Sequence, residues 1–341
     1  MNQMLQTVHD TLGRPIRDLR ISVTDRCNFR CPYCMPAEVY GERYRFLPRA
    51  ALLTYEEVTR LTRLFVRLGV TKVRVTGGEP LVRSEVEVLI AMLAGVDGIE
   101  DLTVTTNGYL LADYALALKD AGLHRVTVSM DSLDPDVFAA MNGRGFAPQR
   151  VLDGIAAASA VGLQPIKINT VVQRGVNDQG VVDMARYFQG TGHIVRFIEY
   201  MDVGNLNGWR RDQVVPSAEL VERINAHLPI RSLEPSYRGE VAERYAYEDG
   251  SGEIGFISSV TQPFCGDCTR VRLSPEGQVV TCLFATTGQD IRGPMRDGAT
   301  DEELLGLLTG QWGARTDRYS ELRASMTGPS PHKIEMYQLG G

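Results

Sequence analysis

The chain has 341 residues, 43% of them hydrophobic and 23% charged, a balance typical of a globular protein, and it contains no low-complexity tract. Its formal charge of −6 argues against a broad nucleic-acid or anionic-membrane surface, yet a few arginines in a pocket would still suit a phosphorylated small molecule. No run reaches the roughly 18 apolar residues of a membrane span and MNQMLQTVHD lacks a signal-peptide core, so a cytoplasmic location with reduced thiols is expected.

From residue 16 to about 200, β-rich runs alternate with helical stretches. IRDLRISV (16–23) leads directly into DRCNFRCPYCMP (25–36), a loop with three cysteines. Thr54 and Glu57 have capping-box spacing before EEVTRLTRLFVRLG, which Gly69 is placed to stop. KVRVT (72–76) runs into GGEP (77–80), and Ser84 with Glu87 repeats the capping-box spacing before VEVLIAML. DLTVTT (101–106), HRVTVSM (124–130), PIKINTVV (165–172) and HIVRFIEY (193–200) follow, with Gly122 and Gly162 placed to end helices between them. Asp134-Pro135 opens another helix, since proline's missing N–H costs nothing at the first helical position. Such alternation implies parallel strands joined by right-handed crossovers. Six units are too few for a full eight-stranded barrel, so an α/β fold with a partial (β/α)6 TIM-like barrel, or an open doubly wound sheet, is expected.

A parallel strand covered on both faces usually reads as a continuous apolar run. Here the strands alternate. Leu19, Ile21 and Val23 oppose Arg20 and Ser22; Val73 and Val75 oppose Arg74 and Thr76; Leu102 and Val104 oppose Thr103 and Thr105. Val126 and Val128 oppose Thr127 and Ser129, and Ile166 and Ile168 oppose Lys167 and Asn169. Because successive side chains point to opposite faces, an apolar face against the helices leaves a polar lumen. Beyond residue 203 the pattern becomes α+β. Ser217 is placed to cap AELVERINAHL, hairpins are expected to turn at Asp249-Gly250 and at Pro275–Gly277, and a helix is expected near 300–310. The expected division is a barrel over 1–203 and a C-terminal annex over 204–341.

The six cysteines form two trios, Cys27, Cys31, Cys34 and Cys265, Cys268, Cys282. A single zinc site built from Cys31, Cys34, Cys265 and Cys268 would leave Cys27 and Cys282 idle. A cubane cluster held by three thiolates instead keeps one iron free to coordinate a small molecule. CxxxCxxC with Tyr33 before its last cysteine, followed after the second strand by GGEP, is the pattern of the radical S-adenosylmethionine (SAM) superfamily. In GGEP the two glycines would allow close backbone approach to a ligand, and Glu79 could accept from an ammonium.

From LRISVTDRCNFRCPYCMP through VRVTGGEPLVR, TVTTNG, VTVSMDSLD, IKINTVV, RFIEYMDVGN and FCGDCTRVRLS to the final Gly-Gly, the sequence resembles the GTP 3′,8-cyclase family over nearly its whole length. The resemblance implies a radical-SAM barrel and a carbon–carbon bond-forming lyase that opens molybdenum cofactor biosynthesis. It assigns one 4Fe–4S cluster to Cys27, Cys31 and Cys34, and a second to Cys265, Cys268 and Cys282. It assigns SAM to Tyr33, Gly78, Ser129 and Met201, and GTP to Arg20, Arg74, Thr105, Lys167, Arg270 and Arg272. Arg270, Arg272, Gly340 and Gly341 are the implied catalytic positions, with the glycine tail threading into the pocket. An external one-electron reductant, a homodimer and a downstream cyclic pyranopterin monophosphate synthase are implied too, with no nucleic-acid or membrane partner. The competing readings are a radical-SAM maturase acting on a peptide and a zinc-stabilised binding module. The first is disfavoured by the number of lumen cations, and the second by GGEP and the polar lumen.

Overall fold

The computed structural model describes residues 7–237, 239–325 and 332–340. Six parallel strands pair in chain order: β1 (Asp18–Ser22), β2 (Lys72–Thr76), β3 (Asp101–Thr106), β4 (Arg125–Ser129), β5 (Lys167–Val172) and β6 (Ile194–Glu199). The crossovers carry α1 (Tyr55–Arg67), α2 (Val86–Ala94), α3 (Leu111–Asp120), α4 (Pro135–Asn142), α5 (Gln149–Ala160) and α6 (Val181–Phe188). The apolar parity of the strands meets these helices. Leu19, Ile21, Val73, Val75, Leu102, Val104, Val126, Val128, Ile166 and Ile168 are buried in one core with Leu61, Phe65, Leu89 and Leu118 from the helices. Each such side chain contributes about 1.5–3 kcal/mol relative to exposure. The opposite parity is free to line a lumen.

Helix ends follow local chemistry in most places. The Thr54–Glu57 capping box forms, Asp134 accepts from the N–H groups of Asp136 and Val137, and Gly69, Gly122 and Gly162 have positive φ. Two expectations fail. At α2 the chain turns through left-handed Glu85 (φ 60°), so Glu87 stands one position too early to complete a box with Ser84. Ser217 is the first residue inside α7 (Ser217–Asn225) and makes no cap with its side chain. Its N–H donates instead to Glu199 Oε1 at 2.9 Å, a carboxylate supplied by the end of β6.

Both expected hairpins form, but they extend the barrel sheet rather than building a separate one. β7 (Ile230–Leu233), β8 (Glu243–Tyr247) and β9 (Glu253–Ile257) join one edge, where β9 lies parallel to β6. β10 (Arg270–Leu273), β11 (Gln278–Val280) and β12 (Gln289–Asp290) join the other, where β10 lies parallel to β1. The order among the described residues is β12-β11-β10-β1-β2-β3-β4-β5-β6-β9-β8-β7. Each hairpin thus satisfies backbone groups that an open six-stranded barrel would leave unpaired at its edges. The fold is a partial TIM-like barrel with a C-terminal α+β part.

Candidate active site

The first cysteine loop leaves the C-terminal end of β1. The N–H groups of Cys34 and Met35 both donate to Cys31 O, at 2.9 and 2.8 Å, coiling CPYC into one turn. Arg30, buried inside the loop, donates to Cys27 O, Phe29 O and Tyr40 O at 2.6–2.7 Å. GGEP clamps the same loop: Gly78 N–H donates to Thr24 O at 2.7 Å and Glu79 N–H to Arg26 O at 2.8 Å. A Cβ on Gly78 would lie 2.3 Å from Arg26 O, so glycine is required for this contact between loops. Glu79, expected to face a ligand ammonium, accepts from Leu81 N–H, Thr106 Oγ1 and Asn107 N–H at 2.7–3.0 Å. It knots the β2 and β3 loops beneath the cysteines, and burial pushes its carboxyl up to about 7.

The thiols of this trio are in an environment that opposes charge. Burial first, then Glu79, pushes Cys27 up to about 12. Burial also raises Cys34, and burial with the neighbouring Cys27 and Cys34 raises Cys31. Three crowded thiolates require a positive partner, which a cluster's irons supply, so the donor set fits that group. Tyr33 hydroxyl donates to Asp131 Oδ2 at 2.7 Å, and Val171 N–H donates to Asp131 Oδ1 at 2.9 Å.

The second trio is at the other end of the strands. β1 and β10 run parallel with Asp18 opposite Arg270, so Cys265 and Cys268 precede the strand whose neighbour ends at the first loop. Cys282 follows β11, which runs back to the same end. The two CxxC units therefore do not join into one four-cysteine zinc site. Arg270 directs Nε and Nη2 at Cys268 Sγ, at 3.3 and 3.2 Å. Burial pushes Cys268 up, but Arg270 and Arg315 outweigh it and hold the thiol down at about 6.

One cavity of about 520 Å³ connects the two ends and is lined by all six cysteines. Tyr33, Gly78, Ser129 and Met201 line it, as do Arg20, Arg74, Thr105, Lys167, Arg270 and Arg272. The strand register puts Arg272, Arg20, Arg74 and Thr103 in one row, and Thr105, Thr127 and Lys167 in another. Among the described residues, Arg20, Arg74, Lys167 and Arg272 form no ion pair, and Thr105 Oγ1 and Thr127 Oγ1 have no hydrogen-bond partner. Burial, then Arg272, Arg74 and Arg270, holds the Arg20 guanidinium well below its ordinary range. Burial, then Arg196, Arg125, Lys72 and Arg74, brings Lys167 down to about 7. Such a row of cations suits an anionic ligand.

The C-terminal tail enters this lumen. Tyr337 packs against Tyr40, shares a 2.9 Å hydroxyl contact with Tyr44, and precedes Gly340, whose carbonyl accepts from Arg272 Nη1 at 2.7 Å. Gly340 has φ 71°, and a Cβ there would lie 2.0 Å from Thr76 Cγ2, so the position admits only glycine. Gly341 lies outside the described residues.

Against this geometry, the Radical SAM superfamily model matches residues 21–188 and the Molybdenum Cofactor Synthesis C model matches residues 193–321. A GTP 3′,8-cyclase of Acidothermus cellulolyticus is 52% identical, covering 99% of this chain and 100% of its own. The chain belongs to the GTP 3′,8-cyclase family. Another member, from Staphylococcus aureus strain JH9, is 47% identical over 99% of this chain and 100% of its own. A solved structure of native anSMEcpe with bound AdoMet is 15% identical with a TM-score of 0.49, covering 61% of this chain and 60% of its own.

In this GTP 3′,8-cyclase family member, several cavity residues escaped the sequence reading. Arg196 is buried on β6 and directs Nε and Nη2 at Asn169 Oδ1, at 3.0 and 2.7 Å. Its signal was available, since it alternates with Val195 and Phe197 as Arg74 does with Val73 and Val75. Asn107 contacts Cys27 Sγ at 3.8 Å and Asn28 Oδ1 at 2.7 Å, and Asp131 holds Tyr33; both stand in segments that carry the family resemblance, TVTTNG and VTVSMDSLD, but neither was given a role.

Proposed function

We propose that this chain is a radical-SAM GTP 3′,8-cyclase, converting GTP to 3′,8-cyclo-7,8-dihydro-GTP in the first step of molybdenum cofactor biosynthesis. The observation that carries this reading is one lumen lined by Arg20, Arg74, Lys167 and Arg272, which form no ion pair among the described residues, with a three-cysteine set at each end, in a member of that family. When bound, SAM and the two 4Fe–4S clusters would supply the radical chemistry that takes hydrogen from ribose C3′ so that C3′ can bond to C8, and an electron which, with a proton, quenches the radical that bond formation leaves.

The chain's own residues bind, orient and shield. Cys27, Cys31 and Cys34 would hold one cluster, and Cys265, Cys268 and Cys282 the other. Tyr33, Gly78, Ser129 and Met201 surround the place for SAM, with Asp131 fixing the Tyr33 hydroxyl. Arg20, Arg74, Thr105, Lys167, Arg270 and Arg272 would face GTP, where guanidinium groups suit bidentate phosphate contacts. Gly340 on Arg272 would close the lumen and help exclude water, with Gly341 beyond it. On this reading residues 1–203 carry radical initiation and residues 204–341 the second cluster and tail. No helix among the described residues is long and apolar enough to cross a membrane. A cytoplasmic homodimer, served by an external one-electron reductant and handing product to a cyclic pyranopterin monophosphate synthase, completes the proposal.

The test is anaerobic. Protein reconstituted with iron and sulfide receives SAM and dithionite, and 5′-deoxyadenosine is measured with GTP, with ATP and with neither. A GTP-specific burst accompanied by a new GTP isomer is expected. Deoxyadenosine that ignores the nucleotide would point to a different substrate, and its absence from fully loaded protein would overturn the enzyme reading.

A further inference from the structure

The second cysteine loop is gripped by Arg270, two residues beyond Cys268, and by arginines from two distant parts of the chain. Arg14 Nη1 donates to Cys265 O at 2.7 Å and to Asp317 O at 2.8 Å. Arg315 Nη1 donates to Cys268 O at 2.7 Å, and Arg270 reaches Cys268 Sγ itself through two N–H groups. Arg14 and Arg315 are almost fully buried and share one carboxylate, Asp10 Oδ2, at 2.5 and 3.4 Å. Trp312 braces both: its Nε1 donates to Arg14 O at 3.1 Å, and the Arg315 guanidinium lies 4.6 Å from its ring centroid. Asp317, held by Arg315 Nε at 3.2 Å, accepts from Thr281 Oγ1 at 2.6 Å beside Cys282.

The first loop is charged the opposite way. Its one buried arginine, Arg30, contacts backbone carbonyls and no sulfur. The donors to Cys27 Sγ are neutral, Phe29 N–H at 3.4 Å and Asn107 Nδ2 at 3.8 Å. The carboxyls of Glu79 and Asp131 are buried alongside. The guanidiniums of Arg14, Arg270 and Arg315 thus stand with Asp10 and Asp317 at the second trio, where Glu321 also accepts from Gly266 N–H at 3.0 Å and Asp267 lies exposed in the loop. At the first trio the one buried guanidinium, Arg30, stands with three buried carboxyls, Glu79, Asp131 and Asp25. Hydrogen bonds to cluster sulfurs and nearby positive charge stabilise the reduced, more negative state of an iron–sulfur cluster.

We propose that Arg270, Arg14 and Arg315, with Asp10 as their shared counter-charge, are positioning residues that set the reduction potential of the second cluster above that of the first. The inference rests on the two-cluster reading given above and deepens it. It makes the second cluster the preferred site of a single added electron, through a charge arrangement assembled from both ends of the sequence.

The test is a redox titration of the doubly loaded protein without nucleotide, following each cluster by electron paramagnetic resonance, with the first cluster as internal reference. The wild-type second cluster is expected to reduce first. Asp10→Asn removes a negative charge and should raise its potential, whereas Arg315→Gln and Arg270→Gln should lower it. Each shift should match at least a tenfold change in the one-electron equilibrium, about 59 mV. Arg270→Lys and Arg315→Lys, which keep the charge, should show only part of the shift, and the first cluster should not move. A purely structural clamp would show no dependence on the sign of the charge change. Shifts that ignore charge sign, shifts shared by both clusters, or a second cluster that reduces last would overturn the proposal. If Asp10→Asn fails to fold, Arg270→Gln carries the test, because Arg270 lines the cavity. The potentials are read without substrate, so a missing cyclised product with intact clusters would count against the cyclase reading alone. A fully reconstituted protein holding only one cluster would count against both.

Discussion

The two cysteine loops stand at opposite ends of the same strands, yet they are built by different means. The first is held by its neighbours in sequence and by the next two loops of the barrel, through Arg30, GGEP and the Glu79 knot. The second is held from afar, by Arg14 some 251 residues upstream of Cys265 and by Arg315 some 47 residues downstream of Cys268. A loop at the C-terminal end of a parallel strand has adjacent βα loops to lean on, as in barrels generally. One at the N-terminal end of an added edge strand must recruit other parts of the chain.

The comparison breaks most decisively if the loops prove interchangeable in function. Cys31→Ala should reduce 5′-deoxyadenosine formation at least about a thousandfold, since covalent and electrostatic machinery lost as a unit costs that order of rate. Cys268→Ala should keep SAM cleavage within about tenfold of wild type while the cyclised GTP isomer disappears. Both products are separated in one chromatographic run, and equal loss of deoxyadenosine in the two variants would end the assignment of radical initiation to the first loop.

Next in size is the knot under the first loop. Glu79→Ala leaves three buried donors, Leu81 N–H, Thr106 Oγ1 and Asn107 N–H, without their acceptor. Unsatisfied buried donors cost about 1–3 kcal/mol each at most, and partial hydration of the gap lowers the sum. A loss of about 2–3 kcal/mol in denaturant unfolding is therefore expected. Hydrogen exchange should locate the damage in residues 25–36 and 77–82 and leave 265–282 protected. Spread of the damage to the second loop would show that the two ends are not independently supported.

These differences also explain what could be read from the chain in advance. Strand faces were legible because alternation is local: Arg20, Arg74, Thr105, Ser129 and Lys167 fall on the lumen side by parity alone, and all five line the cavity. The first loop was legible because its cysteines, Tyr33 and GGEP lie close together and in a recurring order. The knot itself was not, since the capture of Glu79 by Asn107 depends on how two loops meet. Ser84 shows the limit even of a local signal, because one left-handed residue at Glu85 shifts the helix start and dissolves the box. The Asp10–Arg14–Arg315 clamp had no periodic or motif signature at all. It exists only because β10 docks on β1 and brings residues some 300 positions apart together.

The smallest expected effect concerns the lumen between the loops. Lys167 is brought down to about 7 by burial and by Arg196, Arg125, Lys72 and Arg74 around it, so in the free protein it loses its proton as pH rises through about 7. A bound triphosphate restores the reason for that proton to stay. Apparent GTP affinity should thus be level below about pH 7 and fall above it, by at most about tenfold per pH unit, because one proton must be taken up on binding. Phosphate groups, whose second ionisation lies near 6, are already charged in that window. The folding linkage has the opposite direction: between about 7 and the ordinary lysine value near 10.4 the unfolded chain binds more protons, so the ligand-free protein gains stability as pH rises. Titration calorimetry in buffers of different ionisation enthalpy at pH 8 should register the proton uptake. Lys167→Met should abolish the uptake and flatten the affinity profile, binding more weakly than wild type at pH 6.5 and about equally at pH 9. An affinity that does not change with pH in the unmodified protein would mean that the lumen cations are balanced before the nucleotide arrives. Positive surroundings would then belong to the second cysteine loop alone.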